Sequence, residues 1–509
     1  MANGGKTVRQ LELNRRQALL STASVLAGVA CNQPGVRQVE HDEPPHNALG
    51  ERVGEVTDHS AIVHTRLTAA SVRNERGYSF PMWTHNLSRE QRLEVRVPDG
   101  MSIADLEGAC PGKAGHVRLH YSTRADLGDA ITSDWTEVTA ATDFTRPFVL
   151  DGLQPDTSYS YAIETKSVSG KGTRRGSTGS FRTAPVSDRW RPIRFAAITC
   201  QDYACRDHRD GFKTYESIRR LSPAFLVSTG DNVYYDIDLP MATSVELARY
   251  HWHRMYSQSL LREFFRAVPG YWLKDDHDSF EDDGWKTRQP LRVAPMTWQD
   301  LAPVFLEQVP IGKKTYRSFR WGKGLEIWLV ETRDFRSPNP DPDGPGKSIW
   351  GTEQKAWLKK SLLASDANFR VLISPDCIVG PGGEPGRAHF ELPEGGADSQ
   401  GDGGFGQEGR EFRHWARENK LDNLVVVNGD RHWQYHSVDP ETGLHEFSCG
   451  AVSDSHASHF SYDPKYHRFL RIKGGFITVS VEGSDASPKL LVQHHDVDGQ
   501  VVHQAEFSR

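Results

Sequence analysis

At 509 residues the chain is too long for one small hydrophobic core, so its length predicts two or more domains. Hydrophobic residues make up 37% and charged residues 25%, the balance of a globular protein rather than a disordered or fibrous one. A net charge of −6, with no Lys/Arg-rich run in the body, argues against a nucleic-acid-binding patch; it does not exclude an anionic substrate, because bound cations can set the local potential.

In chain order, the first residues read as a targeting segment rather than as fold. Asn14-Arg15-Arg16-Gln17 precedes an apolar stretch from Ala18 to Ala30 that is too short to span a bilayer, and Gln33-Pro34-Gly35 follows. This pattern predicts an export signal over residues 1–31 of the twin-arginine type. The expected partner is the twin-arginine export machinery, and the expected location is periplasmic or extracellular. Gly28-Val29-Ala30 fits a small-x-small cleavage site, while Cys31 directly after it offers a place for a lipid anchor. Gly28 stands where a lipobox carries an aliphatic residue, which favours a soluble product. No other segment is long and apolar enough for a transmembrane helix. Five cysteines follow, Cys110, Cys200, Cys205, Cys377 and Cys449, and an odd count leaves at least one thiol free, reactive or bound to metal.

Residues 50–186 read as an all-β domain. Short alternating runs such as Arg92–Val97 and Val117–Tyr121 are separated by Gly, Pro, Asp and Ser turns. The stretch Phe148 to Tyr161, with Leu153-Gln-Pro155 ahead of a Tyr-bearing strand, resembles the late strands of fibronectin type III-like sandwiches. Ser167–Ser180 is a loop by composition. From residue 190 to 509 the rhythm is strand, loop, helix, strand. Strands are expected at Arg194–Thr199, Ala224–Ser228, Arg370–Ser374 and Asn423–Asn428, helices at Gly211–Leu221 and Thr352–Ala364, and a hairpin at Tyr316–Val330. Strands alternating with helices predict an α/β sheet whose site gathers at the carboxyl ends of the strands. Gly380–Gly409 reads as a long surface loop.

Four apolar runs end in polar groups: Thr199-Cys200-Gln201-Asp202-Tyr203, Gly230-Asp231-Asn232-Val233-Tyr234-Tyr235-Asp236, Asp275-Asp276-His277-Asp278 and Gly429-Asp430-Arg431-His432. One Asp at a strand end is ordinarily a cap or turn residue. Four such ends, supplying carboxylates, imidazoles, a thiol and a phenol, predict a multinuclear metal site, because bound cations offset repulsion among clustered carboxylates.

Gly230-Asp231-x-x-Tyr234 resembles the metal-bridging aspartate and tyrosinate signature of purple acid phosphatases and PhoD-type alkaline phosphatases (the alkaline phosphatase D family of the calcineurin-like metallophosphoesterase superfamily). Thr199–Tyr203 resembles the Ser-Cys-Gln element of the PhoD type, Asp275–Asp278 its Asp-Asp-His-Glu, and Gly429–His432 its Gly-Asp-x-His. The resemblance implies a four-layer α-β-β-α metallophosphoesterase sandwich, preceded by a small all-β domain of fibronectin III/immunoglobulin-like kind. It implies that Asp231 bridges two metals, that Tyr234 and Cys200 bind Fe3+, and that Asp276, Asp430 and His432 are further metal ligands. His277 is then the catalytic histidine, and Ca2+ the second metal among oxygen ligands. The implied activity is hydrolysis of phosphate mono- and/or diesters by hydroxide generated on the metals. Asp278–Gly284 departs from the family, which continues its element with Asn, and Trp433 is bulkier than the pattern suggests. Asp202 lines up with a metal-binding His of the wider superfamily. Arg333 reads equally as a phosphate clamp or a surface salt bridge.

Other features read as structural. Gly344-Pro-Gly-Lys347-Ser348 resembles the end of a P-loop, but Asp341 stands where the first Gly belongs. His251 and His253, two apart on a helix, are expected at the surface. His494, His495, His456 and His459 read as structural, with a supporting place at the site open to the last two, and Cys205 reads as a small buried residue or a resolving thiol. Two rival functions carry less weight. A catalytically inactive cell-surface binding protein built on the same two domains would have lost ligands, yet every motif is occupied. A zinc hydrolase would show denser His ligation.

Overall fold

Three sheets organise the residues that the computed structural model describes, 42–81, 87–381, 389–390, 403–458 and 461–509. The expected export signal with Cys31, His459 and most of the loop read at Gly380–Gly409 lie outside them. The first half supplies β1 (Arg52–Gly54), β2 (Ala61–Arg66), α1 (Arg89–Glu94), β3 (Gly115–Ser122), β4 (Ile131–Thr132), β5 (Thr136–Val138), β6 (Thr145–Leu150), β7 (Ser158–Lys166), β8 (Thr173–Arg175) and β9 (Gly179–Arg182). Next come β10 (Ile193–Ile198), α2 (Lys213–Arg220), β11 (Phe225–Thr229), α3 (Val245–Tyr256), α4 (Ser259–Phe265), β12 (Gly270–Leu273) and α5 (Trp298–Gln308). Then follow β13 (Arg317–Trp321), β14 (Leu325–Leu329), α6 (Gly351–Ala364), β15 (Phe369–Ser374), α7 (Gly406–Glu418) and β16 (Leu424–Asn428). The chain closes with β17 (Gln434–Val438), β18 (His445–Cys449), β19 (His467–Arg471), β20 (Phe476–Ser484), β21 (Ser487–His495) and β22 (Val501–Ser508).

Side-chain alternation explains the layering. Along β10, β11 and β12, Phe195, Ala197, Phe225, Val227, Tyr271 and Leu273 point into a core shared with Ile327, Leu329, Val371, Ile373, Val425 and Val427 of β14, β15 and β16. The intervening Ala196, Ile198, Leu226 and Trp272 pack instead on residues of α2, α3, α4 and α5. Trp328, Leu372 and Val426 pack on α6 and α7. Two sheets are therefore apolar on both faces and covered by helices outside, giving helix, sheet, sheet, helix. Their strand orders are β22-β21-β20-β10-β11-β12-β1-β2-β6 and β13-β14-β15-β16-β18-β17-β19.

The third sheet, β4-β3-β7-β8 with β5 on β3 and β9 on β7, faces β1, β2 and β6 through Val117, Leu119, Tyr161 and Phe181 against Val53, Val63 and Phe148. The turn before β7 is closed by Gln154 N donating to Tyr159 Oη at 2.8 Å. The strand expected at Arg92–Val97 is instead α1 with an irregular tail. Ser88 Oγ accepts from Gln91 N while Gln91 Oε1 accepts from Ser88 N, and this capping box outweighs an alternation that no neighbouring strand pairs with.

The β-sandwich strands join the large sheet directly, because β1 pairs in parallel with β12. A buried polar hub adds to this. The Asp143 carboxylate accepts from Arg66 Nε and Nη2 (2.9 Å each), His253 Nε2 (2.5 Å) and Gln308 Nε2 (2.8 Å). Burial would raise this carboxyl, but His253 and Arg66 hold it well below the usual range. His253 is thus buried, not at the surface as its spacing suggested. So is His251, whose Nε2 bonds the Pro240 carbonyl at 2.9 Å, because α3 is covered on both of the faces that the spacing reaches. Among the described residues no helix is long and apolar enough to cross a membrane. The five described cysteines are buried and none is in a disulfide.

At the far end of the two-sheet core sits a chain of imidazoles: His445 Nδ1 lies 2.9 Å from His436 Nε2, and His436 Nδ1 lies 3.0 Å from His503 Nε2. Burial, reinforced by the neighbouring histidines, pushes His436 down to about 2 and His494 to about 3. Both folded values lie below the unfolded value near 6.5, so the unfolded chain binds more protons below that pH. Their contribution to stability is complete above about pH 6.5 and is lost as pH falls toward the folded values, by up to ~1.4 kcal/mol per pH unit for each histidine. Urea midpoints measured from pH 7 to pH 4.5 should fall accordingly, and His436→Phe should flatten the slope by one proton; an unchanged slope would refute the account.

Candidate metal centre

Three loops repeat one device. Cys200 follows β10, Asp231 follows β11 and Asp430 follows β16, and each takes a left-handed backbone, with φ of 54°, 54° and 59°. For residues other than glycine this costs roughly 1–2 kcal/mol each, so the surrounding packing must impose it. Glycine precedes two of them because the loops converge: a Cβ on Gly429 would lie 2.4 Å from Thr229 Oγ1 and 2.7 Å from Thr199 Oγ1, and one on Gly230 would lie 2.6 Å from Asp275 Cβ.

The convergence brings every residue of the expected site together. Cys200, Asp231 and His432 offer donor atoms all within 4.8 Å of one another, and so do Asp231, Asp276 and His277, and Asp231, Asp275, Asp276 and Asp430. Tyr234 Oη donates to Asp231 Oδ2 at 3.2 Å, with Cys200 Sγ 3.4 Å from the same oxygen. Donors on one ion, each 2.0–2.6 Å from it, must lie within about 5 Å of each other, so these groups fit one or more cations. Asp231 Oδ1 and Asp275 Oδ2 are buried and have no hydrogen-bond partner among the described residues, which suits oxygens meant for a metal.

Electrostatics point the same way. Burial, then repulsion from Asp276, raises Asp231 well above its ordinary value. Burial and the adjacent Asp231 likewise raise the Cys200 thiol and the Tyr234 phenol well above theirs. The ionised donor set is therefore unfavourable by itself, and a multivalent cation among the donors reverses that. Oxygen-rich ligation suits a hard ion, while thiolate and phenolate suit a more polarising one.

Several participants went unassigned in the sequence. Asp236 Oδ1 lies 2.7 Å from His277 Nδ1, and its other oxygen lies 2.8 Å from Arg292 Nη1. Burial would lower the His277 imidazole, but Asp236, Asp276 and Asp231 outweigh it and raise it well above its ordinary value. Asp278 accepts from Asn232 N and Nδ2 and from Asp275 N, so it fastens one loop to the next rather than facing the centre. Asp376, His389 and Asp430 form a further group with donor atoms within 4.8 Å. Asp376 follows β15 as the other acids follow their strands, so the strand-end rule could have found it; His389 lay in a stretch read by composition alone. His456 stands at the site, its ring 4.0 Å from that of His432 and its Nδ1 3.2 Å from the Cys200 carbonyl. Asp202 is buried behind the cluster and accepts from Ala204 N at 2.7 Å.

Arg333 forms buried ion pairs rather than a surface salt bridge, and its Nη1 is buried with no hydrogen-bond partner among the described residues. It is fully buried, with Nε 2.5 Å from Asp275 Oδ1 and Nη2 3.1 Å from Asp376 Oδ1. Lys347 of the P-loop-like stretch donates to the carbonyls of Asn339 (2.7 Å) and Asp341 (2.6 Å), so it staples its own loop. The open side of the centre is a cavity of about 410 Å³ lined by His277, Asp282, Arg431, His432, Trp433 and His456.

Two covered sheets with acids, imidazoles, a thiol and a phenol at their strand ends define a metallophosphoesterase-type fold. A solved structure of PhoD superposes with a TM-score of 0.65 at 15% identity, covering 91% of this chain and 90% of that one. The purple acid phosphatase PPD1 of yellow lupin (Lupinus luteus) seeds gives 0.61 at 14% identity, covering 91% and 75%. The PhoD-like phosphatase family matches residues 195–473, and the N-terminal domain of PhoD-like phosphatases matches residues 33–185. The chain belongs to the PhoD-like phosphatase family. It is 22% identical over 325 residues to alkaline phosphatase D of Bacillus subtilis (strain 168), a match covering 55% of this chain; the chain spans about half the length of that relative (52%).

Arg333→Leu tests the electrostatic frame directly. Removing the guanidinium leaves Asp275 and Asp376 buried without their main counter-charge, which should lower unfolding free energy by roughly 3–5 kcal/mol. A denaturation midpoint within error of wild type would show that the pair does not need it.

Proposed function

We propose that the chain is an exported phosphoesterase that hydrolyses phosphate mono- and/or diesters at a centre of iron and calcium. The observation that carries this reading is the meeting of Cys200, Asp231, Tyr234, Asp276, Asp430 and His432 from separate strand ends. Cys200, Tyr234 and His432 with Asp231 would hold Fe3+, and Asp276 and Asp430 with Asp231 would hold Ca2+. When bound, the metals supply Lewis acidity, drawing charge from phosphoryl oxygens and lowering the pKa of water at the centre.

The chain's own groups do the remainder. Asp236 accepts from Nδ1–H of His277 and so orients the ring, and the surrounding carboxylates favour the imidazolium, leaving Nε2–H on the cavity side, 3.9 Å from Asp282 Oδ1. From there it can hydrogen-bond a phosphoryl oxygen or hand a proton to the leaving alkoxide. The Tyr234 ring packs on His277 with centroids 4.4 Å apart, so metal ligand and proton donor keep a fixed relation. Trp433 and Arg431 shape the wall of a cavity sized for a small ester.

Protein refilled with iron and calcium should hydrolyse members of a mono- and diester panel. Asp231→Asn should lower turnover roughly 10³-fold or more with its fold intact, because it removes a bridging charge and not core packing. Asp236→Asn should cost about 10²–10⁴-fold in kcat while metal content stays unchanged. Tyr234→Phe should abolish a visible tyrosinate-to-iron band. Unchanged turnover in the Asp231 variant would refute the assignment.

Export is supported by the Arg15-Arg16 head and the apolar run behind it. Replacing both arginines with lysine should leave the full-length product in the cytoplasm on cell fractionation, and normal appearance outside it would overturn the twin-arginine route.

A further inference from the structure

Away from the metal centre, a cavity of about 230 Å³ opens where the β-sandwich meets α4. Four arginines line it. Arg174 and Arg175 come from β8, Arg262 from α4, and Arg266 from the residue that ends α4. Arginines elsewhere at this junction are matched by carboxylates: Arg66 by Asp143, Arg249 by Glu307 and Arg317 by Glu55. Those of the cavity are matched only loosely: Arg174 Nε donates to the Pro44 carbonyl at 3.4 Å, and Arg262 feels Glu51 and Glu263 without touching either. Arg174 has a long contact to Glu43 at 3.7 Å, while the guanidiniums of Arg175, Arg262 and Arg266 make no hydrogen bond or ion pair among the described residues. Arg262 Nε is shielded from solvent and has no partner.

The lining holds one carboxylate, Glu51, which is buried and bonded by Asn47 Nδ2 at 3.2 Å. One acid in the lining among four guanidiniums, with Glu43 and Glu263 at its margin, leaves a net concentration of positive charge that attracts a small anion. Burial and the neighbouring Arg266 both push the Arg262 guanidinium below its ordinary value, so the free protein holds these charges at a cost. Guanidinium forks match the paired oxygens of a tetrahedral oxyanion better than a carboxylate-free pocket of lysines would. At Gly50, with φ of +72°, a Cβ would first meet Arg262 at 3.9 Å, so the wall beside that side chain is bare backbone.

We propose that this cavity is a second anion site, taking a small tetrahedral oxyanion of the phosphate class and tying β8 of the sandwich to α4. The site stands whether or not the strand-end cluster hydrolyses esters, since none of its residues belongs to that cluster.

The test uses full-length protein carrying Asp231→Asn, which disables the metal centre, with and without Arg262→Gln and Arg266→Gln together. Inorganic phosphate is titrated by calorimetry at constant ionic strength, with sulfate as the isosteric comparison, and unfolding midpoints are recorded at each concentration. In the parent, phosphate should bind at one arginine-dependent site and raise the midpoint with concentration, as a ligand of the native state must. The double substitution should weaken that binding about tenfold or more, the loss of two charge-assisted contacts. Without phosphate the double variant should be at least as stable as its parent, because mutual repulsion is relieved. Equal phosphate affinity in both proteins overturns the proposal. So does a double variant that is less stable in the absence of phosphate while the parent ignores the ion, which would make the arginines purely structural.

Discussion

The structure depends on crowding negative charge where water cannot screen it. Asp231, Asp275, Asp276 and Asp376 are all buried just past the carboxyl ends of β11, β12 and β15, and the chain meets them with Arg333, Arg336 and His277. Like charges at such spacing are tolerable only with compensation nearby, and the protein's own cations cover one flank. Arg333 holds Asp275 and Asp376, while Asp231, Cys200 and Tyr234 are left facing one another. That asymmetry divides the cluster into a part braced by the fold and a part whose donors are spaced to suit cations.

The bracing extends well behind the centre. Glu446 on β18 accepts from the amides of Ile378, Val379 and Gly380 and from Tyr435 Oη, which pins the loop after Asp376. Asn232 and Asp278 lock the second loop to the third. Each donor is positioned by a neighbour whose own conformation is fixed, which is how strained left-handed backbones persist at three strand ends.

Much of this was legible in the residues. Strand ends carrying Cys200, Asp231, His277 and His432 announced a cluster because four such ends together, unlike any one of them, exceed what caps and turns require. Strands alternating with helices after residue 190 pointed to the α/β sheet, and Leu153-Gln-Pro155 ahead of a Tyr-bearing strand pointed to the sandwich. What the sequence hid were contacts between distant segments. Nothing local marks Asp236 as the partner of a histidine 41 positions on, or Arg333 as buried between two acids from other loops. His251 and His253 looked exposed because helical spacing reveals which faces they occupy but not that both faces are covered. The run at Arg92–Val97 looked like a strand because alternation over six residues is weaker evidence than the Ser88 cap beside it.

The parallel pairing of β1 with β12 bears on how the polypeptide can be divided. Gly54 faces Gly270 across that seam, and a Cβ at Gly54 would sit 2.5 Å from the Pro310 carbonyl, so the join is a tight backbone-to-backbone fit. A fragment starting near residue 190 would expose the hydrogen-bonding side of β12 together with Tyr271 and Leu273, an open edge of the kind that recruits other chains. The leading strands β1, β2 and β6 therefore terminate the nine-stranded sheet, and the two halves share a single folding fate.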